Sequence, residues 1–354
     1  MAHEIKELDR VMLGSRVPAW HGLGTVIDGQ PQTAEAIRLS GLDWPVTMIP
    51  AYWSHPSMTM GIEMYQESTI ARFIARGDLP DSDPRRILGH CGMNYQPIQN
   101  TEAFGIGDAL MGDGGMRWET AGSLHNGRIV WMLGAMPQEI RVKDDRIKTY
   151  LLISNPHTGA KTLDIQFTGV RVVCSNTLGQ AKSEKNTGRA RIHHTGKIGD
   201  QVKDARRILS LAETYWAHAA DTFEKMAEAK VDDRFVRAYL SAIFPMPTDP
   251  ERTLATQNVT AIHDTVGRLF HGEQAGAGME ATRGTAWGLY NATTEYLNRR
   301  NVRTPKRLNA AESRFERMMY GRDQDTSEMA LDLICRQTGI TNAYATPEMA
   351  TVSN

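Results

Sequence analysis

The chain has 354 residues, 41% of them apolar and 23% charged, with a net charge of −1. That balance describes a soluble globular protein with a sizeable core, and it means that any polyanion site must come from local clustering of charge. The longest apolar run, near Ile129 to Met136, is far short of the roughly 20 residues of a membrane-spanning helix.

The first ten residues, MAHEIKELDR, are charged from the fourth onward and lack the apolar core of a secretory signal. A cytoplasmic protein is therefore expected. Three scattered cysteines, Cys91, Cys174 and Cys335, suit reduced thiols better than a disulfide framework.

Short apolar or alternating runs at 44–53, 58–65, 68–77 and 85–95, separated by clusters such as GDLPDSDP, predict an antiparallel sheet. Asn100 stands where an N-cap belongs, which predicts a helix over about 101–111. Residues 117–136 form two β-like runs around Asn126-Gly127, a dipeptide that favours the positive φ angles of a hairpin turn. A second hairpin pairs 149–155 with 162–174. In its second strand Leu163, Ile165 and Phe167 share one face, and Asp164, Gln166 and Thr168 the other. Taking Gly169 as the extra residue of a bulge carries the apolar face on through Val170, Val172 and Cys174 and leaves Arg171 on the open polar face.

The second half predicts helices. Ile198, Val202, Ala205, Leu209, Ala212, Trp216, Ala219, Phe223 and Met226 alternate spacings of four and three, one long helix with an apolar seam. Further helices are expected at 232–243, 255–271, 280–300, 309–320 and 327–338, and 343–354 is expected to be a flexible tail. The expected organisation is α+β: a mostly antiparallel β domain over 1–197 packed by the long helix, and a helical region over 198–342.

The sequence has no GxxxxGK[ST], GxSxG, HExxH or CxxC, so the common phosphate, acyl-transfer and zinc motifs give no support. Gly276-Ala277-Gly278-Met279-Glu280-Ala281 follows a helical pattern where a dinucleotide site needs a strand, and is expected to be a helix–helix loop. Cys174 with His193 or His194 is an alternative nucleophile pair, weighed against a core thiol at the end of an apolar strand. A zinc site from His90, Cys91, Cys174 and a histidine has no supporting spacing. Asp108, Asp113 and Glu119 around a Gly-rich turn are a candidate for a hard cation, weighed against an ordinary solvated acidic loop. No cofactor or metal is expected.

The charged feature that stands out lies at 182–207, where eight basic residues face three acidic ones, a net +5. Its plain interpretation is a solvated linker leading into a helix whose Asp200–Lys203 and Asp204–Arg207 pairs neutralise one another. Against that, RARIHH alternates basic with small or apolar residues, and an extended backbone there sets Arg189 and Arg191 on one side, spaced for successive phosphates. The candidate nucleic-acid residues are Arg171, Lys182, Lys185, Arg189, Arg191, His193, His194, Lys197, Lys203 and Arg207.

VRVVCSNTLGQA and RARIHHTGKI, together with VPAWHGLGT (17–25), SGLDWPV (40–46), GMNYQPIQNTEAF (92–104), ETAGSLHNGRIVW (119–131) and GTAWGLYNATTEYL (284–297), resemble the phage/plasmid-like protein family built on domain of unknown function 932. The resemblance runs from about residue 10 to 340. It implies a protein carried by phages, prophages or plasmids, and a core like that of single-strand-annealing recombinases. The expected function is sequence-independent binding and annealing of single-stranded DNA in recombination, by a homo-oligomer without covalent chemistry or a membrane partner. The alternatives are a phage protein that blocks a host defence factor and a Cys/His-dependent hydrolase.

Overall fold

The structure is a computed structural model and describes residues 25–56, 63–111, 115–171, 177–178, 189–196, 199–203, 212–249, 251–272, 280–300 and 310–342. It is α+β, with antiparallel sheets in the N-terminal half and helices in the C-terminal half. One sheet runs in the order β1 (Thr25–Val26), β5 (Arg117–Leu124), β6 (Ile129–Val142), β7 (Asp145–Pro156), β8 (Leu163–Arg171) and β10 (Arg189–Ile192), with β9 (Thr177–Leu178) also on β8. A smaller sheet contains β2 (Val46–Pro56), β3 (Glu63–Arg76) and β4 (Ile87–Gly92).

Two compact units interleave along the chain. The first takes 1–135, 151–166 and 189–210, and the second 136–150, 167–188 and 211–354.

In the first unit, residues 63–65 of the expected strand 58–65 continue without a break into the expected strand 68–77 as one strand, β3, paired with β2 with a register shift between Pro50 and Tyr52, and 58–62 lie outside the described residues. The interruption seen in sequence, Gln66-Glu67-Ser68, is polar because this part of the strand is solvated, not because the chain turns. Helices α1 (Thr33–Leu39) and α2 (Asn100–Gly105) cover the first unit's core. The cap of α2 is Gln99, whose amide donates to the Glu102 carboxylate at 2.9 Å. Asn100 therefore begins the helix instead of capping it, and its side chain turns inward. The hairpin around Asn126-Gly127 forms as expected, in a four-residue loop with positive φ at His125, Asn126 and Gly127. The β7–β8 turn lies tightly on β4, and a Cβ on Gly159 would stand 1.9 Å from the His90 carbonyl oxygen. Glycine at Gly159, which also has φ +82°, is thus required twice over.

The second unit contains a hairpin that sequence patterning does not disclose. β6 and β7 are neighbours joined by Lys143-Asp144, with Lys143 at φ 54°. Its pieces within this unit, 136–142 and 145–150, bury Ile140, Val142 and Ile147 while Glu139, Arg141 and Arg146 alternate outward, and the charged residue Asp145 is buried and accepts from the Trp287 indole N–H at 3.3 Å. Leu163, Ile165 and Phe167 of β8 are buried as expected, but so are Gln166 and Thr168. The opposite face of β8 is therefore covered and not the open polar surface that was expected for it. Val172 and Cys174 lie outside the described residues.

Of the span expected as one long helix, 199–203 is helical and 212–228 forms α3 (Ala212–Glu228), and whether the two are continuous lies in 204–211, outside the described residues. In α3 the seam residues Trp216, Ala219, Phe223 and Met226 are all buried. Trp216 lies against Phe167 and Phe223 against Trp287, with ring centroids 5.8 and 4.6 Å apart. The remaining helices are α4 (Asp233–Ile243), α5 (Thr253–His271), α6 (Ala286–Arg299), α7 (Ala310–Tyr320) and α8 (Arg322–Thr338), close to the expected spans. The GAGMEA segment falls between α5 and α6, as a helix–helix connection, with 273–279 outside the described residues.

Buried Asp323, in the first turn of α8, accepts from Arg317 at 3.0 Å and from Arg300. A carboxylate there gains from the helix N-terminus as well as from two guanidiniums. Asp323→Ala is expected to cost about 3–5 kcal/mol by leaving two partly buried cations unpaired. Arg317→Ala, which leaves Arg300 in place, is expected to cost about 1–2 kcal/mol. Urea unfolding midpoints at constant slope measure both, and equal costs would contradict the shared pairing.

Candidate nucleic-acid interface

Strand β10 lies at the edge of the larger sheet, antiparallel to β8, with Arg189 opposite Gln166, Ala190 opposite Ile165, Arg191 opposite Asp164 and Ile192 opposite Leu163. Ala190 and Ile192 are buried at 6% and 0% exposure, whereas Arg191 and His193 are exposed. The alternation RARI thus places apolar side chains in the core and Arg191 in solvent along an edge. Arg189 is two residues back on the same strand.

What fixes this edge is the turn that follows it. The Gln201 side chain accepts from the His193 amide at 2.7 Å and donates to the Thr195 carbonyl at 3.1 Å, so the helical segment 199–203 is tied to the end of β10. Gly196, at φ +76°, makes the reversal between them. Lys203 is exposed and stands 3.7 Å from Asp200, the self-neutralising pair anticipated from the sequence. Such an exposed pair holds its lysine only weakly.

His194 does not belong to this surface. It is 4% exposed, and its ring stacks on Tyr95 with centroids 4.9 Å apart and planes 13° apart. Its carbonyl accepts from the Gln96 amide at 2.7 Å, which anchors the end of β10 to the turn after β4. The strand alternation that turns His193 outward turns His194 inward, so the expectation that either histidine could meet a phosphate holds geometrically only for His193. Of the other candidates, Arg171 ends β8, and Lys182, Lys185, Lys197 and Arg207 lie outside the described residues.

Behind the edge is a polar cluster that sequence reasoning missed. The Asn100 side chain donates to the Leu42 carbonyl at 2.9 Å, and its oxygen accepts from His157 Nε2 at 2.9 Å and from Asn155 at 3.3 Å. Asn155 also donates to the Ile98 carbonyl at 3.0 Å. Trp44 packs edge-on against His157, and the Arg76 guanidinium lies 4.5 Å from the Trp44 ring centre. Available signals were the side-chain types in IQNTEAF and ISNPH, where amides and an imidazole interrupt apolar runs.

Burial lowers the pKa of His157 to about 3, helped by the nearby His194. Burial also lowers His194 to about 4, with the Gln96 backbone opposing and His193 adding to the shift. Both are neutral imidazoles at pH 7, and the proton of His157 sits on Nε2 to meet Asn100. They can hold structure but cannot pair with phosphate as cations.

The described thiols are not activated either. Burial raises the pKa of Cys91, with Arg72 partly opposing, and pushes Cys335 up to about 12 with Asp332 adding to it. Among the described residues no group of histidine, cysteine and carboxylate side chains is arranged to hold a metal. Asp108 accepts from the Thr33 hydroxyl, Glu119 has partners of its own, and Asp113 lies outside the described residues. In the second unit a groove between α4 and α5 is lined by Asp233, Arg237, His263, Asp264, Arg268 and His271, whose opposite charges cancel and select no anion. Also among the described residues, no helix is long and apolar enough to cross a membrane.

The histidine pair predicts a pH dependence. Unfolded histidines titrate near 6.5, so between about pH 6.5 and 4 the unfolded chain binds more protons than the folded one. The stability contributed by neutral burial is complete above that window and is lost as the pH falls through it, by up to about 2.7 kcal/mol per pH unit while both titrate. Urea unfolding across the window measures the slope, and His194→Phe, which keeps the stack on Tyr95, is expected to reduce it by roughly half.

Residues 87–319 match the family model described as Domain of unknown function (DUF932). No curated protein and no solved structure is significantly similar to the chain. The matched segment covers well over half of the sequence and contains β4, Asn100, the two buried histidines and the basic edge strand, and on that match the chain belongs to the DUF932 family.

Proposed function

We propose that this protein binds single-stranded DNA without sequence preference, along the edge formed by β10 and the segment after it, and promotes strand annealing in the DNA metabolism of a phage or plasmid. The observation that carries the reading is the alternation of β10. Ala190 and Ile192 are locked in the core, so Arg191 and the alternate residue Arg189 belong to a strand whose position is rigidly set. Successive arginines on an extended edge match the repeat of a phosphate backbone, and guanidinium groups bind phosphate oxygens in pairs. Exposed His193 adds a ring that can stack on a base or donate to a phosphate.

The wider setting supports the same reading. The net charge of −1 conceals a net +5 between residues 182 and 207, a local field of the kind that attracts a polyanion.

Fluorescence anisotropy with a labelled single-stranded oligonucleotide, over a range of salt, tests this. Saturable binding that weakens with salt is expected. The Arg189→Ala, Arg191→Ala double variant is expected to bind roughly tenfold or more weakly, with a slope of log K against log salt shallower by about 1.4, the share of two phosphate contacts on a single strand. Arg146→Ala, which removes an exposed arginine already paired with Glu139 in the second unit, is expected to leave binding unchanged. Equal losses in the two variants, or no saturable binding at low salt, would overturn the proposal.

A further inference from the structure

The β2–β3 hairpin has a surface that the nucleic-acid reading leaves unexplained. β4 pairs with β3 only from Ala71 onward, so residues 63–70 and their partners on β2 continue as a two-stranded ribbon. Eight residues at about 3.4 Å each carry its far end roughly 27 Å beyond the last β3–β4 pair. Among the described residues nothing pairs with the outer edge of β2 or with β3 over this stretch. At its base β2 is sealed, because the Gln99 side chain accepts from the Val46 amide and donates to the Val46 carbonyl, both at 2.9 Å.

The ribbon is apolar on both faces. Trp53 and Met64 belong to one, through the cross-strand pairs Trp53–Gln66 and His55–Met64, and Tyr52 belongs to the other, opposite Glu67. Tyr52 is 57% exposed, Trp53 50%, Met64 46%, and Ile70, farther along β3, 80%. With Tyr65, the arm holds half of the large exposed apolar side chains found among the described residues. Tryptophan, tyrosine and methionine are the residues enriched at the centres of protein interfaces, and a lone two-stranded ribbon gains little stability by itself.

Charge selects the occupant. Between residues 51 and 71 the chain has Glu63 and Glu67 and no lysine or arginine, which disfavours nucleic acid and anionic lipid. The complementary charge is on the same chain: the edge strand β10, with Arg189 and Arg191 in its sequence, lies within a stretch whose sequence carries net +5. The arm's far end lies roughly 27 Å beyond Gly92, the end of β4 at the arm's base, whereas the end of its own β10 is held at Tyr95 and Gln96, just past Gly92.

We propose that the β2–β3 arm is a self-association element that docks on the basic edge of a second copy of this chain, strand edge to strand edge, with Glu67 facing the arginines of β10. This inference rests on the arm and the charge pattern, and it stands whether or not the edge also binds DNA. Where both hold, single-stranded DNA and the arm compete for β10.

Sedimentation velocity without nucleic acid tests it over a range of protein concentration. The wild type is expected to associate reversibly, and the Trp53→Ser, Met64→Ser double variant to associate roughly tenfold or more weakly with an unchanged circular dichroism spectrum and melting temperature. Glu67→Lys, at an exposed position that folding does not depend on, is expected to weaken association as well, and adding Arg191→Glu to that same chain to restore it. A wild type that stays monomeric overturns the proposal, as do arm variants that associate normally or a charge exchange that does not restore association. Arm variants that lose oligonucleotide or vesicle binding while self-association is unaffected would assign the arm to that other ligand and likewise overturn it. Loss of DNA binding in the arginine double variant, by contrast, bears on the DNA reading alone.

Discussion

The first unit depends on one buried amide. Asn100 is 2% exposed, and a side-chain amide removed from water must find its donors and acceptors in the protein. It finds them in three places: the Leu42 carbonyl after α1, Asn155 at the end of β7, and His157 in the turn that follows. One side chain thereby fixes the entry to the small sheet, the start of α2 and the β7–β8 turn relative to one another. Moving any of them would leave a polar group buried without a partner, which costs about 1–3 kcal/mol. The network accounts for the neutral state of His157, since an imidazole enclosed by Trp44 and carrying its proton toward Asn100 has no means of stabilising a second proton. His194, stacked on Tyr95, continues the same logic to the end of β10. The exposed edge thus owes its position in part to buried side chains that are neutral, two imidazoles and two amides.

The second unit meets a related demand differently. Every residue of α6 from Ala286 to Thr294 is buried, yet the segment contains Asn291, Thr293 and Thr294. Their polar groups are served mostly within the helix itself: Asn291 donates to the Trp287 carbonyl at 2.9 Å, Thr293 to Leu289 at 3.0 Å and Thr294 to Asn291 at 3.1 Å. Tyr239 from α4 adds a bond to Thr293 at 2.8 Å. A helix that meets most of its side-chain donors internally can be buried along most of its length, and it needs no apolar stripe to do so.

This difference explains what sequence patterning disclosed. β8 was visible because Leu163, Ile165 and Phe167 alternate with polar residues, and α3 because its seam keeps a regular spacing. The β6–β7 hairpin was not, because its turn, Lys143-Asp144, lacks the glycine that marks the other hairpin. β3 was divided in two because polarity at Gln66-Glu67-Ser68 resembles a turn when the surrounding solvation is unknown. Of the candidate site, the alternation of Arg191 with Ala190 and Ile192 was legible, since period two needs only sequence. The burial of His194 follows from the same alternation continued for two residues, but its stack on Tyr95 joins positions 99 residues apart in sequence. Asn100 was misassigned for the same reason: a local rule proposed a cap, and long-range partners claimed the side chain.

Sheet edges are the points at which a β-protein must choose between isolation and association. Of the edges described here, β1 is too short to template another strand, and β2 is closed at Val46 by Gln99. β10 presents Arg191, and an arginine in solvent discourages apolar pairing while it invites an acidic or phosphorylated strand. Among the described residues the outer part of the β2–β3 arm has no seal like that at Val46 and carries no lysine or arginine, and large apolar side chains are exposed on both of its faces. Charged blunting at one edge and apolar exposure at the other are opposite solutions within one unit. An accidental edge would be blunted like the first, so the unblunted arm indicates a surface whose normal state is covered, and the acidic residues along it restrict that cover to something basic.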